Sequence, residues 1–477
     1  VAELRLARLA PAQAALLRAA GAAGASDAVV VGGAIRDVIL RRPAADVDIA
    51  VPRGAIALAG RCAELVGGTC VVLDAERGAA RVVVDGALSL DITDFREPTL
   101  QADLAARDFT VNALAVPLAT LLTRGRAPII DPTGGLADVR ARRLRPAGAR
   151  VLDDDPLRAL RAVRLEATLG LRLTAAAARA VRGAARGLGR VSMERVRDEL
   201  LLLLALPETA RALRRADALG LLGVIVPEVE PMRATRQPAP HRFDVLEHSL
   251  RAVGGCDRLL ARVQGLAPYG EELAAHVAEP LGGGVRRGAA LKLAALLHDV
   301  SKPQTRRRVA GRVRFFEHDV IGAQRARAIG ERLRLPERVT AVVERLVRHH
   351  LRPMHLASAR TITPRARYRF YRDLREDTRD LLLLVVADAA AVTGTSPLVT
   401  WRRAAVVRAL FAGWREQQAT QERPPLLRGE DVMAHFSLEP GPRVGWLLAR
   451  AREAQDLGRV RTREEALAYL DSLDPGP

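Results

Sequence analysis

The chain has 477 residues, 49% hydrophobic and 27% charged, which suits a globular protein of about two to four domains and excludes collagen-like, disulfide-scaffold and wholly disordered classes. Lys plus Arg number 74 against 55 Asp plus Glu, a formal charge of +19, so the surplus favours a polyanionic partner, most simply nucleic acid. Only Lys292 and Lys302 are lysines, and the arginine bias in itself reads as codon usage. Cys62, Cys70 and Cys256 are an odd, scattered set, as expected in a reducing compartment. No apolar run approaches the roughly 18 residues that span a bilayer, so the expectation is a cytoplasmic protein with no membrane partner.

Residues 1–27, rich in Ala, Leu and Arg, read as a helical leader. Residues 28–145 mix short β-branched runs such as Val29-Val30-Val31 and Val82-Val83-Val84 with glycine turns and helical stretches, an α/β pattern. Residues 146–235 have helical spacing and close on a proline-rich linker. Residues 236–400 hold eight of the nine histidines, and residues 401–477 are again helical.

In the α/β zone, Val31-Gly32-Gly33-Ala34-Ile35-Arg36-Asp37 ends an apolar run and opens a helical stretch. Glycines at such a turn let backbone N–H groups approach a phosphate, and the helix N-terminus favours the anion. Arg36 adds a charge-assisted contact. Asp46 and Asp48 follow at i and i+2 of a strand, which puts both carboxylates on one face. Two such groups repel unless a cation lies between them, and hard oxygen ligands suit Mg²⁺ shared with substrate phosphates. Asp91, on another alternating strand, is the candidate third acid of a two-metal site. The alternative for the Asp pair alone is a solvated acidic edge.

Further on come Arg107-Asp108-Phe109-Thr110-Val111-Asn112, Asp131-Pro132-Thr133-Gly134-Gly135 and Asp154-Asp155-Pro156-Leu157-Arg158-Ala159-Leu160-Arg161-Ala162-Val163-Arg164. In this order the set resembles the class II tRNA nucleotidyltransferase and bacterial poly(A) polymerase family over nearly the whole chain from about residue 28. The resemblance implies an α/β head of the nucleotidyltransferase fold (a small mixed sheet with helices), then all-α neck, body, HD and tail domains, mostly α in total. It implies that Gly32, Gly33 and Arg36 hold the triphosphate, that Asp46 and Asp48 bind catalytic Mg²⁺ with Asp91 in the place of the third acid, and that Arg107 contacts the nucleotide. Ala106 stands where the family has a further arginine, and Asp154 where it has Glu. Asp155 and Arg158 would read the incoming base. Three residues apart on a helix, they are neighbours, and an aspartate beside an arginine matches the amino group and ring acceptor that C and A share. Arg161 and Arg164 extend that stripe and, as the resemblance implies, would bind the nucleotide by reaching its phosphate or base. The implied partners are CTP, ATP and the 3′ end and acceptor–T arm of tRNA. Full CCA-adding members carry a longer segment than residues 92–106 here; members adding only CC tend to have it shortened.

The histidine zone holds His248, His298-Asp299, His318, His349-His350 and Asp388 in order. This resembles the HD-domain phosphohydrolases. Imidazoles with carboxylates suit Mn, Fe, Ni or Zn and a bridging water nucleophile. Lys302 is a candidate phosphate contact, and His241, His276, His355 and His435 read as packing or surface residues.

The expected activity is template-independent addition of CMP, and of AMP where the pocket allows it, to tRNA 3′ ends by attack of the RNA 3′-hydroxyl on the NTP α-phosphate, with pyrophosphate released. The alternatives are a poly(A) polymerase, an HD-type phosphohydrolase acting on cyclic phosphates or nucleotides with the head as an RNA-binding module, and a non-catalytic RNA-binding protein.

Overall fold

The computed structural model describes residues 2–44, 46–85, 88–358, 362–421 and 424–473; residue 1 of the expected leader and residues 474–477 of the expected tail lie outside the described residues. There are two compact units, Val1–Leu200 with Arg214–Ile225, and Leu201–Leu213 with Val226–Pro477.

The first unit opens with β1 (Glu3–Arg5) and α1 (Pro11–Ala22). Strands β2 (Val29–Val31), β3 (Val47–Val51), β4 (Thr69–Asp74), β5 (Ala79–Val84), β6 (Leu88–Asp94) and β7 (Ala115–Pro117) form one sheet in the order β4-β5-β6-β3-β2-β7. Only β3 and β6 run parallel. Helix α2 (Gly33–Ile39) follows β2, and α3 (Ala55–Val66) follows β3. The period-2 alternation of β3 buries Val47, Ile49 and Val51 on one face and leaves Asp48 half-exposed on the other. Leu16, Leu17 and Cys62 from α1 and α3 join the core that Ile49, Val82 and Ile92 build on that face.

The expected helical leader needs correction. Residues 3–5 are a strand, paired antiparallel with β8 (Arg126–Pro128), and α1 buries Leu16 and Leu17 in the sheet core. An apolar helix stripe needs a face to cover, and the sheet supplies one.

The helical zone 146–235 does not form a body of its own; it is divided between the two units. In the first, Arg215 holds Glu166 at 2.7 Å. In the second, residues 201–213 are tied down by Lys292, whose buried ammonium meets Asp257 at 2.9 Å and donates to Thr209 Oγ1 at 3.0 Å. Asp257 also accepts the Ala210 N–H at 2.9 Å.

Helices Val245–Leu260, Arg287–Leu297 and Thr378–Thr393 pack together in the second unit, and His318–Arg332 packs on Glu337–His349. Buried Arg287 gathers Glu279, Glu376, Asp377 and Asp380. The C-terminal helices carry a small core of their own around Val432, Leu447 and Ala466. Among the described residues no single helix is long and apolar enough to cross a membrane.

Lys292→Met strands Asp257 as a buried carboxylate without its cation. A loss of about 3 kcal/mol is expected for the second unit, read as a lowered urea midpoint; an unchanged midpoint contradicts the anchoring role.

Candidate active site and metal cluster

Gly32 ends β2 with φ 79°, a left-handed conformation that L side chains rarely adopt. A Cβ built there would stand 2.9 Å from Asp48 Oδ2, so the turn and the carboxylate press against each other with no room for a side chain. Gly33 starts α2, and the Arg36 guanidinium lies over it, 3.1 Å from where its Cβ would be. Arg36 is held by both oxygens of Asp37 at 2.9 Å and by Asn112 Oδ1.

The β3–β6 register sets Asp48 directly beside Asp91. Burial pushes the Asp48 pKa up to about 6; Asp91 and Asp46 add to the rise, and Arg107 and Arg81 oppose it. The three acids therefore share one electrostatic neighbourhood, with Asp46 exposed just ahead of β3. Asp91 is not free, because Arg81, its cross-strand neighbour, donates to both of its oxygens at 2.7 and 2.8 Å. Arg107 is braced by buried Asp103 at 3.3 Å.

Gly32, Gly33, Arg36, Asp48, Arg107, Asp155, Arg158 and Arg161 all line one cleft of about 1080 Å³. Asp155 and Arg158 lie 3.9 Å apart, but not by helical spacing: Asp155 is extended ahead of the helix Leu157–Leu169 and accepts the Leu157 N–H at 3.3 Å. Asp155 also receives Arg195 at 2.7 Å, and Arg158 donates to the Ala106 and Val151 carbonyls at 3.1 and 3.2 Å. Arg161 reaches Asp108 at 3.4 Å. Arg164 is outside the lining and is bonded to Glu199. In the same cleft, burial and the nearby charges of Arg107 and Arg158 pull the Arg96 pKa down. Asp103 offsets part of this crowding of positive charge.

In the second unit, His248, His298 and Asp388 bring ligand atoms within 4.8 Å of one another, and so do Asp299, His318 and His350. Asp299 joins the two groups: its oxygens lie 3.6 Å from His248 Nε2, 3.3 Å from His298 Nε2, 3.5 Å from His318 Nε2 and 3.7 Å from His350 Nε2. Nδ1 of His298, His318 and His350 faces the backbone carbonyls of Ala295, Phe315 and Val347 at 2.9, 3.1 and 2.7 Å. A carbonyl only accepts, so Nδ1 carries the proton and Nε2 of the neutral ring is left as a lone-pair donor, the usual arrangement of metal-ligating histidine. The residues fit a cation on a further ground. Asp299 Oδ1 and His318 Nε2 are buried without a hydrogen-bond partner, Asp388 Oδ1 lies 2.9 Å from His248 Nε2, and the Nε2 atoms of His248 and His298 face each other at 3.3 Å. Burial lowers the basicity of His298, yet Asp299 and Asp388 outweigh it and lift its pKa to about 9, so the cluster draws positive charge.

His349 does not join the expected ligand set. One helical step turns it about 100° away from His350, toward Arg352 and Asp373, and burial with the neighbouring arginines lowers its pKa to about 4.

The Poly A polymerase head domain matches residues 28–99 and 90–145, the probable RNA and SrmB-binding site of polymerase A matches 170–233, and the HD domain matches 245–392. An A-adding tRNA nucleotidyltransferase of Deinococcus radiodurans is 39% identical over 93% of this chain and 94% of its own length. A CC-adding tRNA nucleotidyltransferase of Thermus thermophilus is 37% identical over 93% of each. A solved CCA-adding enzyme in its apo form shares the fold, with TM-score 0.64 and 20% identity over 98% of this chain and 97% of that one. The chain belongs to the tRNA nucleotidyltransferase family. It is a nucleotidyltransferase with an α/β head and an HD domain.

In this nucleotidyltransferase, sequence reasoning missed several groups around both sites. Asn112 and Asp108 link Arg36 to Arg161, with Asn112 Nδ2 donating to Asp108 Oδ1 at 2.9 Å. Both stand in the segment that carries Arg107, so a signal was present. Glu199, from a helix 35 residues beyond Arg164, had none. Gln237 receives Lys302 at 2.7 Å while Lys302 also holds Asp299 at 2.6 Å. The ring of His241, which read as ordinary, packs edge-on against His248 at 4.9 Å.

His350→Ala is expected to lower bound transition metal, measured by elemental analysis of the purified full chain, while His349→Ala leaves it unchanged; equal losses contradict this geometry. Asp48, with its folded pKa raised to about 6, adds stability that is full below its ordinary value near 3.8 and is lost as pH rises through 6. Asp48→Asn, which cannot ionise, is therefore expected to stabilise the first unit by about 1–3 kcal/mol at pH 7.5 without divalent ions, and hardly at all near pH 4. Melting at the two pH values reads the difference.

Proposed function

We propose that the first unit transfers CMP or AMP from CTP or ATP to the 3′ end of tRNA. The observation that carries this reading is the contact between the Gly32 turn and Asp48: a carboxylate beside an anion-binding turn is what a metal nucleoside triphosphate needs. Asp46 and Asp48 would hold Mg²⁺, which when bound activates the RNA 3′-hydroxyl and neutralises departing pyrophosphate. Backbone N–H groups at Gly33 and the Arg36 guanidinium bind the triphosphate, and Arg107, braced by Asp103, steadies the nucleotide. Asp91 acts through its neighbour: clamped by Arg81, it adds to the negative field at Asp48 and so favours the cation. Asp155 accepts from the exocyclic amino group of C or A, and Arg158 donates to the adjacent ring acceptor. U and G present a carbonyl where Asp155 needs a donor, and are rejected because a buried acceptor would be left unpaired. Both residues are engaged by protein partners, Arg195 and two backbone carbonyls, which the base would have to displace. Arg161 and Arg164 hold the helix in place through Asp108 and Glu199.

In the second unit, His248, His298 and Asp388 with Asp299, His318 and His350 would hold Mn, Fe, Ni or Zn. The orphaned polar atoms there support a metal-assisted hydrolysis of phosphoesters as a second activity.

Incubating tRNA that ends before, within or after CC with each NTP, alone and in pairs, tests the first reading. Incorporation of C or A but not U or G is expected, with at least a thousandfold loss in Asp46→Ala/Asp48→Ala and little change in fold. Undiminished incorporation by the double variant rejects the assignment, and tails of indefinite length from ATP alone would favour a poly(A) polymerase.

A further inference from the structure

Residues 302–316 hold six cations and no acid. They span the short helix Lys302–Thr305 and an antiparallel ribbon of two strands, Arg306–Val309 and Arg312–Phe315. The register pairs Arg306 with Phe315, Arg307 with Arg314, Arg308 with Val313 and Val309 with Arg312. Arg307, Val309, Arg312 and Arg314 thus share one face, and Arg307 stands directly opposite Arg314. Like charges so placed destabilise a ribbon unless something neutralises them. No carboxylate does. The hydrogen bonds of Arg307 and Arg308 go to backbone carbonyls, and none of the five ribbon arginines forms an ion pair among the described residues. By contrast Arg327, in the helix that follows, holds Glu331, Glu337 and Glu344.

The opposite face is the half-buried one, with Val313 and Phe315. The Phe315 ring lies 6.4 Å from that of His318, and Lys302 Nζ, which holds Asp299, lies 5.5 Å from the Phe315 centroid. The ribbon is therefore the rim of the metal cluster. Phe316, just past the ribbon, is 50% exposed.

We propose that this ribbon docks single-stranded RNA at the rim of the HD cluster, with phosphates on Arg307, Arg312 and Arg314 and a base stacked on Phe316. Unpaired arginines beside an exposed aromatic are the elements of single-strand recognition: charge follows the backbone, and a ring takes any base. The inference is separate from nucleotide transfer in the first unit and does not depend on whether the cluster hydrolyses anything.

The test uses the full chain and a fluorescein-labelled 12-nucleotide oligouridine carrying one 4-thiouridine. Arg307→Ala/Arg312→Ala/Arg314→Ala is expected to weaken binding about fivefold to tenfold at 0.1 M salt and to reduce the slope of log Kd against log salt by about 2, from 0.7 per lost phosphate contact. Phe316→Ala weakens binding at unchanged slope, and photo-crosslinks map to residues 306–316. A triple control at the exposed arginines, Arg402→Ala/Arg403→Ala/Arg408→Ala, retains affinity and slope. Equal losses in ribbon and control variants, or crosslinks only outside residues 302–318, overturn the proposal. So does an outcome in which the ribbon variant loses affinity only for phosphatidylserine vesicles.

Discussion

Negative charge held in a half-buried place is the constraint on which the head is built. Asp48 and Asp91 lie side by side in the parallel register of β3 and β6, and burial makes their mutual repulsion stronger than it would be in water. Each nearby feature relieves it or makes use of it. Arg81 closes on Asp91 from β5, and Arg107 faces Asp48 while Asp103 keeps it in place. Gly32 leaves the remaining side of Asp48 open, where a side chain would have filled the space. What remains is a carboxylate with a pKa near 6 beside a glycine turn, an arrangement that favours a cation.

The second unit meets the same problem with different ligands. Asp299 is buried among four imidazoles, and backbone carbonyls orient three of them by accepting a hydrogen bond from Nδ1–H. The carboxylates hold His298 basic in a place where burial alone would have made it a weak base. Hard oxygens in the head suit an ion that exchanges with substrate; mixed nitrogen and oxygen ligands in the second unit suit a resident transition metal.

Arginine serves two purposes in this chain. Where it is buried it is matched by acids, as around Arg287 with its four carboxylates. In the ribbon of residues 306–314, positive charge exceeds what carboxylates among the described residues offset. The formal charge of +19 thus has locations as well as a sign.

The sequence by itself determined local features of the head: the glycine turn before a helix and Asp48 on the outward face of a strand follow from backbone periods, whereas Asp46 lies just ahead of β3 and Asp155 just ahead of its helix, where no period fixes a side chain's direction. Local pattern also brought out the histidine series. Three things required the tertiary structure. Residues 3–5 became a strand because β8 offered an edge, although the local composition favours helix. His350 rather than its neighbour His349 reached the cluster because the helix phase, set by packing along Glu337–His349, turns only one of them inward. Asp91 came to be clamped by Arg81, and Glu199 to hold Arg164, through contacts between segments whose separation along the chain holds no record of their meeting. Side-chain direction in an isolated element follows from its period; partnership across elements follows only from how those elements pack.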